Sequence, residues 1–214
     1  MAEFVGTFVL VVAATTPIVL DAQTQSMGLL AIAFSPAIAV GFLVYAFAKT
    51  SGAHFNPAVS LGSLINHTIT LKEFPLYLAV QITGAILASI LVLHSIGSDA
   101  YLGANFPNND IGLAEIFLVE ILLTFLLMGV IIAVVHTKGL RGFGGAAIGL
   151  IIGLDILFGG NISGASMNPA RSLAPALVSG NFESLWIYLT ATFIGAVIAA
   201  FAYKVITIKI LKTN

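Results

Sequence analysis

Asn56 and Asn168 stand out as side chains that could do chemistry, because each lies in one copy of a repeated segment. Ser51-Gly-Ala-His-Phe-Asn-Pro-Ala-Val-Ser60 returns 112 positions later as Ser163-Gly-Ala-Ser-Met-Asn-Pro-Ala-Arg-Ser172, with seven of the ten residues identical. Asparagine is a strong helix N-cap, and proline is favoured at the first helical position. Asn56-Pro57 and Asn168-Pro169 are therefore expected to open short helices over 56–66 and 168–179, ending near Asn66-His67 and Ser179-Gly180. An asparagine whose oxygen caps its own helix keeps its amide NH₂ free to donate. Before each asparagine, Gly52, Ala53, His54 and Phe55, and Gly164, Ala165, Ser166 and Met167, are expected to run extended. Their carbonyls must face water or be buried, and can form a ladder of acceptors. Donors at a centre with acceptors leading to it suit a neutral molecule that both donates and accepts, such as water or a small polyol.

The elements that hold these segments are apolar. Hydrophobic residues make up 59% of the 214 and charged residues 8%, with mean hydropathy +1.08, too little charge for a soluble surface. About 20 apolar residues span a bilayer core. Six runs qualify or come close: Phe4–Leu20, Leu29–Ala48, Phe74–Ile96, Ile111–Val135, Gly142–Phe158 and Ser184–Ile208. The expected class is an all-α membrane protein with the lipid bilayer as its surroundings. The first run carries Glu3 in place of a basic n-region, which predicts a retained span rather than a signal peptide. A net charge of −1 argues against a nucleic-acid partner, and the absence of cysteine excludes disulfides and thiolate metal sites. No His, Asp or Glu cluster has metal spacing, no Ser/His/Asp set suggests hydrolysis, and no cofactor or enzyme activity is expected.

If the six spans alternate, Lys49, Lys72, Lys138, Arg141, Lys209 and Lys212 fall on one side, and Asp21, Asp99, Asp110 and Glu183 on the other. Basic loops stay inside, so both termini are expected in the cytoplasm. Arg171 is the one basic residue of the outer half.

Three spans per half is an odd number, so the second half enters the membrane from the opposite face, as an inverted repeat. The expected units are residues 1–105, with the half-helix at 56–66, and 106–214, with the half-helix at 168–179. Further offsets agree. Ala33, Ala37 and Gly41 precede Asn56 by the same distances at which Gly145, Gly149 and Gly153 precede Asn168. Glu3-x-x-x-Thr7 is echoed by Glu120-x-x-x-Thr124. Small residues at spacing four let helices approach closely in lipid. At about 1.5 Å per residue each short helix covers half a bilayer, so the two meet N-terminus to N-terminus near the middle. Each N-terminus carries roughly half a positive charge, which opposes a cation where it is least hydrated.

Over its whole length the chain resembles the aquaporin, or major intrinsic protein, family. The resemblance rests on the two Ser-Gly-Ala-x-x-Asn-Pro-Ala segments, the second followed by Arg171-Ser172. It implies an aquaporin-like fold of six transmembrane helices plus two re-entrant half-helices. It also implies one pore per subunit, a homotetramer in the cell membrane, and passive conduction that excludes protons. By position, Asn56 and Asn168 become the central pore donors, and Glu3 and Glu120 accept hydrogen bonds from the re-entrant loops. Arg171 would sit in an outer constriction with Ala165, Ile156 and Pro36.

At that constriction the sequence departs from orthodox water channels, which have an aromatic residue and a histidine where Pro36 and Ile156 stand. The expected filter is wide and largely apolar. Pro36 frees the Ile32 carbonyl and should kink its helix, which could bring Phe34 or Ser35 into the site. Ser172, where glycerol channels usually carry Asp, points toward water, as do Ala176 and Tyr188, whereas Leu189 does not. The expectation is a water channel with a broadened filter that also passes glycerol or other small neutral solutes. Two rivals are a glycerol or metalloid facilitator with incidental water flow and a coupled secondary transporter. A third is a junction protein with an inactive pore. Asp155, an acid beside Ile156, is expected either to pair with a hydroxyl or with Arg171, or to polarise the outer vestibule. His54 is expected to pack on its loop, with His67, His94 and His136 interfacial.

Overall fold

The computed structural model describes residues 1–213, leaving out the side chains of Lys138, Arg141 and 207–213. The expected sides of Lys138, Arg141, Lys209 and Lys212 thus concern side chains outside the described residues. In chain order the helices are α1 (Ala2–Thr24), α2 (Gly28–Ser51), α3 (Pro57–Ile65), α4 (Phe74–Ser95) and α5 (Ala100–Gly103). Then come α6 (Leu113–His136), a 3₁₀ turn at Lys138–Phe143, α7 (Gly144–Ser163), α8 (Pro169–Ser179) and α9 (Leu185–Thr213). Six of these, α1, α2, α4, α6, α7 and α9, are long and apolar enough to cross a membrane. In hydrocarbon every backbone N–H and C=O must find a partner within the protein, so runs of Leu, Ile, Val, Phe and Ala become helices. Their outer faces carry large exposed side chains such as Phe42, Leu118 and Phe158. Much of the buried polar chemistry is turned inward: Glu3, Asn56, Gln81, Glu120, Asn168 and Arg171.

The polar segments between spans are shorter than the sequence suggests. Lys49–Ser51 continue α2 and Gly159–Ser163 continue α7. Both helices end on a glycine in the left-handed region, Gly52 at φ 80° and Gly164 at φ 84°, a conformation that glycine adopts without a Cβ penalty. The half-helices begin at Pro57 and Pro169 as the Asn-Pro pairs dictate.

The two halves interlock. Within the first, α1 packs on α2 and α4; within the second, α6 packs on α7 and α9. The half-helices cross over, α3 against α9 and α8 against α4, while α2 and α7 form the seam between halves. Gly84 and Gly195 make two close approaches possible. A side chain at Gly84 would collide with the Phe4 carbonyl, and one at Gly195 with the Ile121 carbonyl. Each contact lies one residue beyond a buried glutamate, Glu3 or Glu120, so the same crossings fix where those carboxylates stand.

Candidate functional site

Asn56 Oδ1 accepts from the Ala58 and Val59 amides at 2.8 and 3.4 Å, and Asn168 Oδ1 accepts from Ala170 and Arg171 at 3.0 and 3.4 Å. Each oxygen therefore caps its own half-helix. The nitrogens do something the sequence did not reveal. Asn56 Nδ2 donates to the Met167 carbonyl at 2.7 Å, and Asn168 Nδ2 donates to the Phe55 carbonyl at 2.9 Å. An amide NH₂ has two hydrogens. One on each asparagine is spent on the opposite loop, so the expectation of a wholly free NH₂ is corrected to one remaining N–H apiece. The Phe55 and Met167 carbonyls are likewise engaged in this clamp.

The loops that carry those carbonyls are strained in the same way. Ala53, Phe55, Ala165 and Met167 all have φ between 46° and 54°. Non-glycine residues adopt this region at a cost of order 1–2 kcal/mol each. Two buried carboxylates offset it by collecting the loop donors. Glu3 accepts from Ser51 Oγ at 2.6 Å, His54 N at 3.0 Å and Phe55 N at 2.7 Å. Glu120 accepts from Ser163 Oγ at 2.7 Å, Ser166 N at 2.9 Å and Met167 N at 3.2 Å. Tyr77 and Tyr188 hydroxyls close the remaining loop ends on the Ser51 and Ser163 carbonyls, at 2.7 and 2.6 Å.

Both asparagines line one narrow cavity of about 50 Å³, enough for one or two waters. Arg171, Ala165, Ile156 and Pro36 line it as well, so the four residues aligned to the constriction do converge. Leu10, Val40, Leu127 and Ile152 complete an apolar wall. Pro36 lies inside the continuous helix α2 and reaches the cavity, while Phe34 lines a groove on the outer face between α2 and α7. Of the eight loop residues expected to line a path, Ala165, Ser166 and Met167 border this cavity, and Gly52–Phe55 and Gly164 do not. The Gly164 carbonyl instead accepts from Asn105 Nδ2 at 2.7 Å.

Among the described residues Asp155 forms neither expected pair. It is buried, its Oδ2 has no hydrogen-bond partner among the described residues, and the Arg171 guanidinium turns to Asn105. His54 Nδ1 lies 3.1 Å from Ser60 Oγ of α3, and its ring sits against Gly52 of its own loop, as expected. Among the described residues no three His, Cys, Asp or Glu side chains group as a metal site.

The sequence model of the family described as Major intrinsic protein matches residues 1–203. The chain belongs to the major intrinsic protein family. Aquaporin NIP3-1 of Arabidopsis thaliana is 42% identical over 212 residues, a match that covers 94% of this chain and 65% of that protein. The chain thus spans just under two thirds of that relative's length. Glycerol uptake facilitator protein-like 6 of Lactiplantibacillus plantarum is 38% identical over 213 residues, with 96% of each chain covered. Among solved structures, the aquaglyceroporin from Plasmodium falciparum superposes with a TM-score of 0.83 at 27% identity, covering 100% of this chain and 97% of that one.

Within this member of the family, three groups escaped the sequence reading. Tyr77 follows Asn56 by 21 residues and Tyr188 follows Asn168 by 20, so the repeat offset could have found it. Gln81, which donates to Glu3 Oε2 at 2.8 Å and Ser60 Oγ at 2.9 Å, has no counterpart by offset. Nor does Asn105, which lies in the connection between the halves.

Proposed function

We propose that the chain is a passive channel, not an enzyme, for water and small neutral solutes such as glycerol, and that it excludes protons and ions. One observation carries the reading: two opposed half-helices, each capped by an asparagine, present one N–H apiece to a single cavity of about 50 Å³ beside Arg171. A neutral solute exchanges its water partners for these donors and the free loop carbonyls. A cation meets two positive helix ends and a guanidinium in a wall that gives little in return. The matched relatives, named as an aquaporin, a glycerol facilitator and an aquaglyceroporin, support the same solute class.

Glycerol permeation is favoured by the composition of the outer constriction. Pro36, Ile156 and Ala165 give an apolar wall against which a polyol's carbons pack, with Arg171 as the donor for its hydroxyls. In this reading the repeats are 1–105 and 106–214, both termini face the cytoplasm, and the chain assembles as a homotetramer in the cell membrane. The exposed apolar groove between α2 and α7 supports association through that face.

Stopped-flow light scattering on proteoliposomes tests the proposal. Water and glycerol should each equilibrate several-fold faster than in protein-free vesicles. Rates equal to those of empty vesicles for both solutes would refute it.

A further inference from the structure

We propose that Asn105 is a positioning residue that holds the Arg171 guanidinium against the channel wall and so keeps the outer constriction open. The inference rests on the channel reading above. Asn105 is buried at 6% exposure, and its side chain joins three parts of the site. Oδ1 accepts from Arg171 Nη1 at 2.6 Å and from Ser172 Oγ at 2.6 Å, and Nδ2 donates to the Gly164 carbonyl at 2.7 Å. The amide orientation follows from chemistry: reversed, its NH₂ would face a guanidinium that has only donors. Among the described residues Asn105 is the one acceptor that meets the guanidinium, whose other N–H groups are left for the cavity it lines.

The segment is built to hold this side chain still. Three residues before it, Leu102 is fully buried against Val19 and Val92, and Gly103 sits against the Thr15 backbone. Three residues after it, Asn108 donates from its backbone to the Ile162 carbonyl at 3.0 Å and from Nδ2 to the Asn161 carbonyl at 3.1 Å. Asn105 is thus clamped between α1 and the end of α7. Ser172 is tied into the same oxygen and touches Ser166 Oγ, so the network reaches the loop that carries the Asn168 clamp.

Without the amide oxygen, a buried guanidinium has an unsatisfied donor, and its nearest relief is the water of the lumen. It swings inward and narrows the path. Stopped-flow permeabilities of matched vesicles read this directly. Asn105→Ala should cut glycerol flux about tenfold and water flux about threefold, magnitudes set by one charge-assisted hydrogen bond. Arg171→Ala should instead raise the glycerol-to-water ratio. In the Arg171→Ala background, Asn105→Ala should change neither flux more than about twofold, because no guanidinium remains to obstruct. A flux loss that persists in that background would show a merely structural role and overturn the proposal, as would wild-type fluxes in Asn105→Ala.

Should Asn105→Ala fail to assemble, the pair Asn105→Asp and Asn105→Leu, both branched at the γ position, gives the same contrast. Asp keeps the acceptor for Arg171 but gives up the donor to the Gly164 carbonyl, so it should conduct several-fold better than Leu, which loses both. Equal conduction by the two overturns the proposal. A wild-type protein that conducts neither solute refutes the channel reading itself, a separate outcome.

Discussion

The side-chain amide of Asn168 donates to the Phe55 carbonyl at 2.9 Å, and Asn56 returns an equivalent bond to Met167 at 2.7 Å. The two half-helices are therefore not merely opposed. Each N-cap side chain is also a strut to the other repeat's loop, so the cavity is held by the residues that line it. In the proposed channel, neutral-solute selectivity and mechanical stability would share the same atoms.

That sharing makes Asn168 costly to replace. Asn168→Ala removes a helix cap worth about 1 kcal/mol and leaves the Phe55 carbonyl without its donor, a further ~1–3 kcal/mol. Thermal unfolding in detergent should show a lowered midpoint, with flux largely lost. Asn168→Asp keeps the cap but exchanges the strut's donor for an anion. It should unfold at a temperature between those of wild type and Asn168→Ala, and admit a cation leak measurable as current in planar bilayers. A wild-type midpoint for Asn168→Ala would show that the strut contributes nothing.

The carboxylates of Glu3 and Glu120 gather the donors of two strained loops. Glu120→Gln places an NH₂ where an oxygen accepts, against Ser166 N or Met167 N, and should destabilise by about 1–3 kcal/mol. Glu3→Gln should cost a similar amount, since its contacts repeat the pattern. Unfolding midpoints of the two variants should fall together. If only one falls, the equivalence of the two loops is not energetic.

Ile156 faces the same cavity as Arg171. Ile156→His adds polarity and narrows the apolar wall, which should lower the glycerol-to-water permeability ratio by about tenfold, the scale on which a pocket rejects misfitting groups. Paired measurements on one vesicle preparation check this. An unchanged ratio would place selectivity elsewhere than the outer constriction.

Ala165 lines the cavity, and the chain has no cysteine. A mercurial should leave wild-type water flux unaltered and block Ala165→Cys, with thiol rescue restoring flow. Failure of the cysteine variant to respond would mean that residue 165 does not border the conducting path.

How much of this was legible in the sequence follows from what each feature depends on. Asn-Pro pairs, the half-helix starts at Pro57 and Pro169, and the convergence of Pro36, Ile156, Ala165 and Arg171 were legible because they rest on local capping rules or on repeat and family spacing. Pro36 rather than Phe34 reaches the cavity because α2 stays continuous through the proline. The asparagine struts were not legible: which carbonyl lies opposite an amide is decided by how the halves interlock. Lys49–Ser51 continue a helix that their polarity seemed to end, since polar residues at a span's last turn meet water rather than lipid. Asn105 was hidden because it has no counterpart at the repeat offset and bonds to a residue 66 positions away. The cost of a buried acid suggests a partner for Asp155, but the Arg171 guanidinium goes to Asn105 instead.

The central claim is that uncharged hydrogen-bonding solutes pass the two opposed helix ends and protons do not. Vesicles loaded with a pH-sensitive dye test it most directly when osmotic shrinkage and proton entry are followed together under an imposed potential. Shrinkage should accelerate with protein density while acidification stays at the rate of protein-free vesicles. Proton entry rising in step with water flow would contradict the account.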